Sequence, residues 1–366
     1  MLGSMKVAFS CAGEGFGHVS RVVSFAQGLA HRYELVFFAP ESVQDYINRN
    51  LPGVSVITIP YFHLAKKGEQ IDYLQTARQN VSKVFHFRRE VRGLRRQLRS
   101  LGIQAVVSDF EPFLPAAARS MDLPVLQVNH PGVVVNYASL APDAVTAKII
   151  ARTMMGHYDR HLFVSFYNGD VGPILRDQFF SVPNERGDYY VVYVKSSYRN
   201  KVTEALARLG VDNYMLFPNT EHDFATALAG CKGLISSAGH QSLSEAITLG
   251  KPVFAIPQRG QFEQRLNAEM LVRSGWGMKG RFSNLNRSLA AFVRQIDSFP
   301  RYEAARAADY RGKDGVKFRF TNDRNRAVEM IDSFLQSYAG KDSGERFLMN
   351  VQHGVTTALH SLGLAG

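Results

Sequence analysis

The chain has 366 residues, 45% hydrophobic and 20% charged, and its formal charge is +11, from 43 Lys and Arg against 32 Asp and Glu. That length allows two domains with a core each, while two cysteines, Cys11 and Cys231, exclude a disulfide scaffold or a Cys-based metal site. No apolar run approaches the ~20 residues that span a bilayer, a signal peptide's pattern is absent, and the positive charge calls for nucleic acid, an acidic membrane or a phosphorylated substrate.

Met1 to Ser4, ahead of a second Met at Met5, are set aside as an expression remnant. Lys6 to Cys11 reads as a first strand. It runs into Ala12-Gly13-Glu14-Gly15-Phe16-Gly17-His18, and the helix after it carries Val19, Val22, Val23, Ala26 and Leu29 on one face. A Gly-rich strand-to-helix turn matches the start of a dinucleotide fingerprint, with Glu41 after strand Glu34 to Ala39 as its acid. The third glycine position holds His18, whose side chain would crowd a pyrophosphate, and this weakens a dehydrogenase reading. An imidazole with an ordinary pKa of about 6.5 suits abstraction of a hydroxyl proton at neutral pH. The alternative for His18 is a helix N-terminal residue with no catalytic task.

Strands are expected at Val54 to Ile59, Gln104 to Ser108 and Val125 to Val128, alternating with helices. That rhythm predicts an α/β doubly wound parallel sheet with ligands at the carboxyl ends of its strands, where Asp109 and His130 fall. Asp109 is also placed to cap the helix after Pro112. A long helix, Tyr73 to Ser100, carries Val84, Phe87, Val91, Leu94, Leu98 and Leu101 as a core-facing stripe, and Arg88, Arg92, Arg95 and Arg99 elsewhere. Those arginines are either a solvated face or, with Tyr61-Phe62-His63-Leu64 and Lys66-Lys67, a seat for anionic lipid headgroups. His161 to Phe166 is the expected last strand of a first domain, residues 5–180, and Pro183 to Asp188 a linker.

The second domain, residues 181–320, opens with strand Tyr189 to Val194 and Lys195-Ser196-Ser197. Tyr214 to Pro218 is its next strand. A short strand, Gly233 to Ser236, then meets the small-residue turn Ser237-Ala238-Gly239 and a helix with Leu243, Ala246, Ile247 and Leu249 on one face. Gly250 is its C-cap, and Val253 to Ile256 is a strand buried on both faces. The turn leaves backbone N–H groups at a helix N-terminus, which favours an anion such as phosphate. Glu245, on the same helix, can accept two hydrogen bonds from ribose hydroxyls.

The series of turn, Glu245, Gly-Lys-Pro-Val strand and Gly-Gln-Phe-Glu-Gln resembles the donor-binding signature of GT-B glycosyltransferases, nearest the MurG-like and UDP-glycosyltransferase group. The resemblance covers Gly233 to Trp276. It implies two Rossmann-like domains facing a cleft and a nucleotide sugar as donor. Ser237, Ala238, Gly239, His240, Gln241 and Ser242 would hold the diphosphate with Lys195 and Ser196, Glu245 the ribose, and Gln261, Glu263 and Gln264 the sugar. Many relatives have Asp-Gln where this chain has Glu263-Gln264. The turn with Gly13, Glu14, Gly15 and Gly17 resembles the acceptor loop of the same enzymes, with His130 nearby, His18 as general base and Asp109 as its orienting partner.

The same resemblance implies an inverting hexosyltransferase using a UDP or dTDP sugar, without metal or other cofactor, on a hydroxyl acceptor that is lipid-linked or a cell-envelope precursor. The expected location is the cytoplasm, peripheral on the inner membrane face. A helix in residues 321–340 would cross back to the first domain, and the tail 341–366 carries no functional signal. Two rivals remain: an epimerase or phosphorylase on the same fold, and a basic polyanion-binding protein without catalysis. Nucleic acid fits poorly, because the basic helix lacks interleaved stacking aromatics.

Overall fold

In a computed structural model of the protein, the described residues are 4–13, 16–63, 65–67, 70–179, 181–299, 310–312, 315–341, 344–345 and 349. Glu14 and Gly15 of the expected acceptor loop, Leu64, and most of the tail 341–366 lie outside them. Eleven strands of three or more residues are described, and they form two sheets.

The first sheet contains β1 (Lys6–Cys11), β2 (Glu34–Ala39), β3 (Ser55–Thr58), β4 (Ala105–Asp109), β5 (Val125–Asn129) and β6 (Arg160–Phe163). Its order is 3-2-1-4-5-6, parallel throughout. The second sheet contains β7 (Tyr190–Tyr193), β8 (Tyr214–Phe217), β9 (Gly233–Ser237), β10 (Val253–Ile256) and β11 (Gly277–Lys279), in the parallel order 8-7-9-10-11. Each order reverses direction once, next to β1 in the first sheet and next to β7 in the second. In open α/β sheets that reversal opens a crevice at the carboxyl ends of the strands. The expected α/β, two-sheet GT-B architecture is therefore present.

Helices α1 (Phe16–Leu29), α2 (Glu41–Asn50), α3 (Tyr73–Leu101), α4 (Phe113–Arg119), α5 (Gly132–Asn136) and α6 (Pro142–Met155) cover the first sheet. The second is covered by α7 (Ser196–Arg208), α8 (Phe224–Gly230), α9 (His240–Thr248), α10 (Phe262–Arg273) and α11 (Leu285–Arg294). Alternation along β1 sends Phe9 toward α1 and Ala8 toward α3 and α4, so each face has its own apolar layer. Helix α12 (Arg324–Tyr338) follows the second sheet in sequence, yet its Ala327, Ile331, Phe334 and Leu335 lie in the core with Val22, Ala26 and Leu29 of α1. A Cβ at Gly28 would come within 2.8 Å of Val328, so glycine sets how closely α1 and α12 approach.

Two expectations are corrected. Val84 does not face the core: it is 62% exposed, whereas Leu94 and Leu98 are buried. The 29 residues of α3 span about 44 Å at 1.5 Å each, far beyond the strands it covers, so its first turns project past the sheet. The strand expected from His161 to Phe166 ends at Phe163, and Phe166 and Tyr167 turn instead into the packing between the two sheets. No helix among the described residues is long and apolar enough to cross a membrane.

Candidate active site

The first crevice lies between β1 and β4, whose register pairs Cys11 with Asp109. A backbone bond from Ala12 N–H to Asp109 O (2.9 Å) extends the ladder to the mouth of the glycine turn. A Cβ on Gly13 would lie 2.9 Å from both Pro40 and Tyr61, which is why a glycine begins that turn. His18, in the first turn of α1, donates from Nδ1 to Asp109 Oδ1 at 2.8 Å. Three residues on, on the same helix face, Arg21 donates from Nε to Asp109 Oδ2 (2.9 Å) and from Nη2 to Oδ1 (3.0 Å). Asp109 is fully buried and Arg21 nearly so.

Among the described residues the other polar neighbour of His18 Nδ1 is Arg21 Nη2 at 3.3 Å, which cannot accept. The proton of a neutral His18 therefore sits on Nδ1, and Nε2 keeps its lone pair. Phe110 stacks its ring on the imidazole at 5.7 Å and 10°. To do so it adopts φ 59°, a left-handed conformation that is costly for a non-glycine residue and clusters at functional sites. Asp109 does not cap the following helix. Glu111 does, accepting from the N–H groups of Phe113 and Leu114.

The second crevice lies between β7 and β9, so Lys195 and Ser196 after β7 flank the turn after β9. In that turn Ser236 and Ser242 hydroxyls bond at 3.1 Å, and Asn267 Nδ2 donates to Ala238 O at 3.1 Å. Gly239 is the N-cap of α9. Two buried polar atoms there, Ser237 Oγ and His240 Nδ1, have no partner among the described residues. His240 Nε2 accepts from Phe166 N–H (3.3 Å) and lies 3.1 Å from Ser244 Oγ. Its proton is consequently on Nδ1, an orphan donor at a helix N-terminus.

Glu245, 3% exposed, accepts from Gln241 Nε2 (3.0 Å) and pairs with Arg176 (3.3 Å). Burial raises its pKa against both partners. Lys195 donates to Gln258 Oε1, and Gln264 Oε1 accepts from Gln258 N–H at 2.8 Å. Gln261 is the N-cap of α10 without a side-chain bond, and Glu263 opens that helix.

The crevices meet at a buried seam. His130 is 1% exposed and stacks on His240 at 3.6 Å and 13°. Its Nε2 lies 3.0 Å from Asn267 Oδ1, which also accepts from Tyr167 Oη at 2.7 Å. Burial, assisted by Arg21, lowers the His130 pKa to about 3. Glu263 Oε1 is 3.9 Å from His130 Nε2, and burial raises its pKa although His18 and Arg21 oppose the shift. Glu263 of the second domain thus faces the His18 cluster of the first. Sequence reasoning missed Arg21, Phe110, Arg176 and Asn267. Of these only Arg21 had a local signal, its i+3 spacing from His18.

A cavity of about 550 Å³ lies beside the cleft, bounded by Tyr137, Ser139, Phe262, Arg265, Lys279 and Arg281. None of the expected site residues lines it. Among the described residues no group of His, Cys, Asp or Glu could hold a metal ion.

Solved structures of glycosyltransferases share this two-sheet, GT-B fold. The glycotransferase of kitacinnamycin is 15% identical, with TM-score 0.60 over 91% of this chain and 100% of that one. MurG of Acinetobacter baumannii is 14% identical, with TM-score 0.54 over 90% and 99%. A UDP-glucosyltransferase from Polygonum tinctorium is 14% identical, with TM-score 0.59 over 93% and 100%. No curated protein matches the chain. The family model of glycosyl transferase family 1 matches residues 5–297, and the chain belongs to that family.

Proposed function

We propose that this glycosyltransferase is an inverting, nucleotide-sugar-dependent enzyme with His18 as its general base. The observation that carries the reading is the 2.8 Å contact of His18 with Asp109, which occupies Nδ1 and leaves Nε2 its lone pair. An acceptor hydroxyl would lose its proton to Nε2 while its oxygen attacks the anomeric carbon and the nucleoside diphosphate departs. The α9 N-terminus, with orphan Ser237 Oγ and His240 Nδ1, suits the diphosphate and would stabilise it as it leaves, without a metal in this scheme. Gly239, Gln241, Ser242, Lys195 and Ser196 complete that pocket. Glu245 takes a ribose hydroxyl of UDP or dTDP by partly displacing Arg176, and Gln261, Glu263 and Gln264 take the sugar, a hexose.

The acceptor is lipid-linked on this reading, delivered at an anionic membrane surface. Supporting it, the projecting turns of α3 expose Leu74, Val81, Val84 and Phe85, and Arg88, Arg92, Arg95 and Arg99 are all exposed. An apolar tip backed by cations is the pattern of an interfacial helix.

Nucleoside diphosphate release is the decisive measurement. Release only when acceptor is present supports transfer, whereas an epimerase would return an isomerised nucleotide sugar without net release and a phosphorylase would need inorganic phosphate in the acceptor's place. His18→Ala is expected to lower turnover by about 10²- to 10⁴-fold with donor affinity retained. Adding Asp109→Asn should make it little worse, because the two act as a unit. Full activity in His18→Ala removes the base assignment.

A further inference from the structure

Resting on the reading of His18 as base, we propose that Arg21 is a positioning residue that sets the orientation of that base. In a His–Asp pair alone, the carboxylate orients the imidazole and also stabilises the imidazolium that forms on proton uptake. Here Asp109 is held by both arms of the Arg21 fork at 2.9 and 3.0 Å, the geometry of a strong bidentate pair. Its charge is therefore matched by an equal positive charge before His18 is reached. Arg21 Nη2 itself lies 3.3 Å from His18 Nδ1. Both partners are desolvated, Arg21 at 3% and Asp109 at 0% exposure, so these charges act at low dielectric.

Oδ1 is shared between His18 and Arg21, so the fork fixes the carboxylate plane and, through it, the ring, which Phe110 holds from its face.

¹⁵N NMR of the His18 ring in the full chain, assigned by its loss in His18→Gln, tests this together with steady-state kinetics. A neutral ring held on Asp109 is expected to show one tautomer, with its proton on Nδ1, and Arg21→Gln should mix the two tautomers. It should also lower kcat by up to about 10²-fold through misplacement of the base, with donor KM unchanged. Arg21→Lys keeps the charge but not the fork, so it should lose kcat as well. If Arg21→Gln fails to fold around a lone carboxylate, Arg21→Lys carries the comparison. Unchanged kcat and ring signals in these variants overturn the proposal. Full activity in His18→Gln would sink the general-base reading and leave the NMR comparison intact.

Discussion

Asp109 and Glu111 leave the end of β4 two residues apart and are held by different means. Asp109 is charge-paired with Arg21, whereas Glu111 meets the backbone N–H groups of Phe113 and Leu114 and the Ser10 hydroxyl but no cation among these, and burial pushes its pKa from 4.5 up to about 7. Between those values the folded chain binds more protons at Glu111 than the unfolded chain does. The stability it contributes is complete below about pH 4.5 and is lost as pH rises through about 7. Glu111→Gln keeps an acceptor for the Phe113 and Leu114 N–H groups but does not titrate. Its Tm should therefore fall less than the parent's across that window, and parallel Tm–pH curves would count against a raised carboxyl. His18, Glu245 and the α9 turn were legible in the sequence because each belongs to a local strand–turn–helix pattern. Arg176 was not, because its pairing with Glu245 depends on how the segment between the sheets folds back, which no local spacing records.

At the scale of elements, α3 shows what periodicity can and cannot say. The heptad-like spacing of its apolar residues predicts one buried stripe, but burial also requires a partner surface, and the first sheet ends before the helix does. Leu94 and Leu98 are covered, while Val84 and Phe85 stand in solvent at 62% and 82% exposure. If these turns seat on acidic lipid, charge reversal at Arg88, Arg92 and Arg95 should reduce co-sedimentation with phosphatidylserine vesicles, since each cation is worth about 1 kcal/mol near such a surface. The loss should shrink as salt screens the attraction. Equal sedimentation of parent and variant would leave α3 a solvated face.

At the scale of the whole molecule, the two sheets are joined by a polar seam as well as by apolar packing. Asn267 is its hub, since it meets His130, Tyr167 and Ala238 while fully buried. Asn267→Leu strands the Tyr167 phenol and the Ala238 carbonyl, at about 1–3 kcal/mol for each group left unpaired. Urea denaturation should register a loss of at least about 2 kcal/mol on that basis, and a change below 1 kcal/mol would show that water replaces the amide. The strand order and both crevices follow from the βαβ rhythm, but the seam does not, because Asn267 lies 100 or more residues from His130 and Tyr167, its partners from the other sheet's side. Helix α12 carries a consequence for synthesis on the ribosome. The layer beneath α1 is closed by residues translated only after the whole second sheet, a lag on the order of 10 s at ordinary elongation rates. Until then the nascent first sheet carries an uncovered oily groove, and its final tertiary closure waits on the arrival of Arg324–Tyr338.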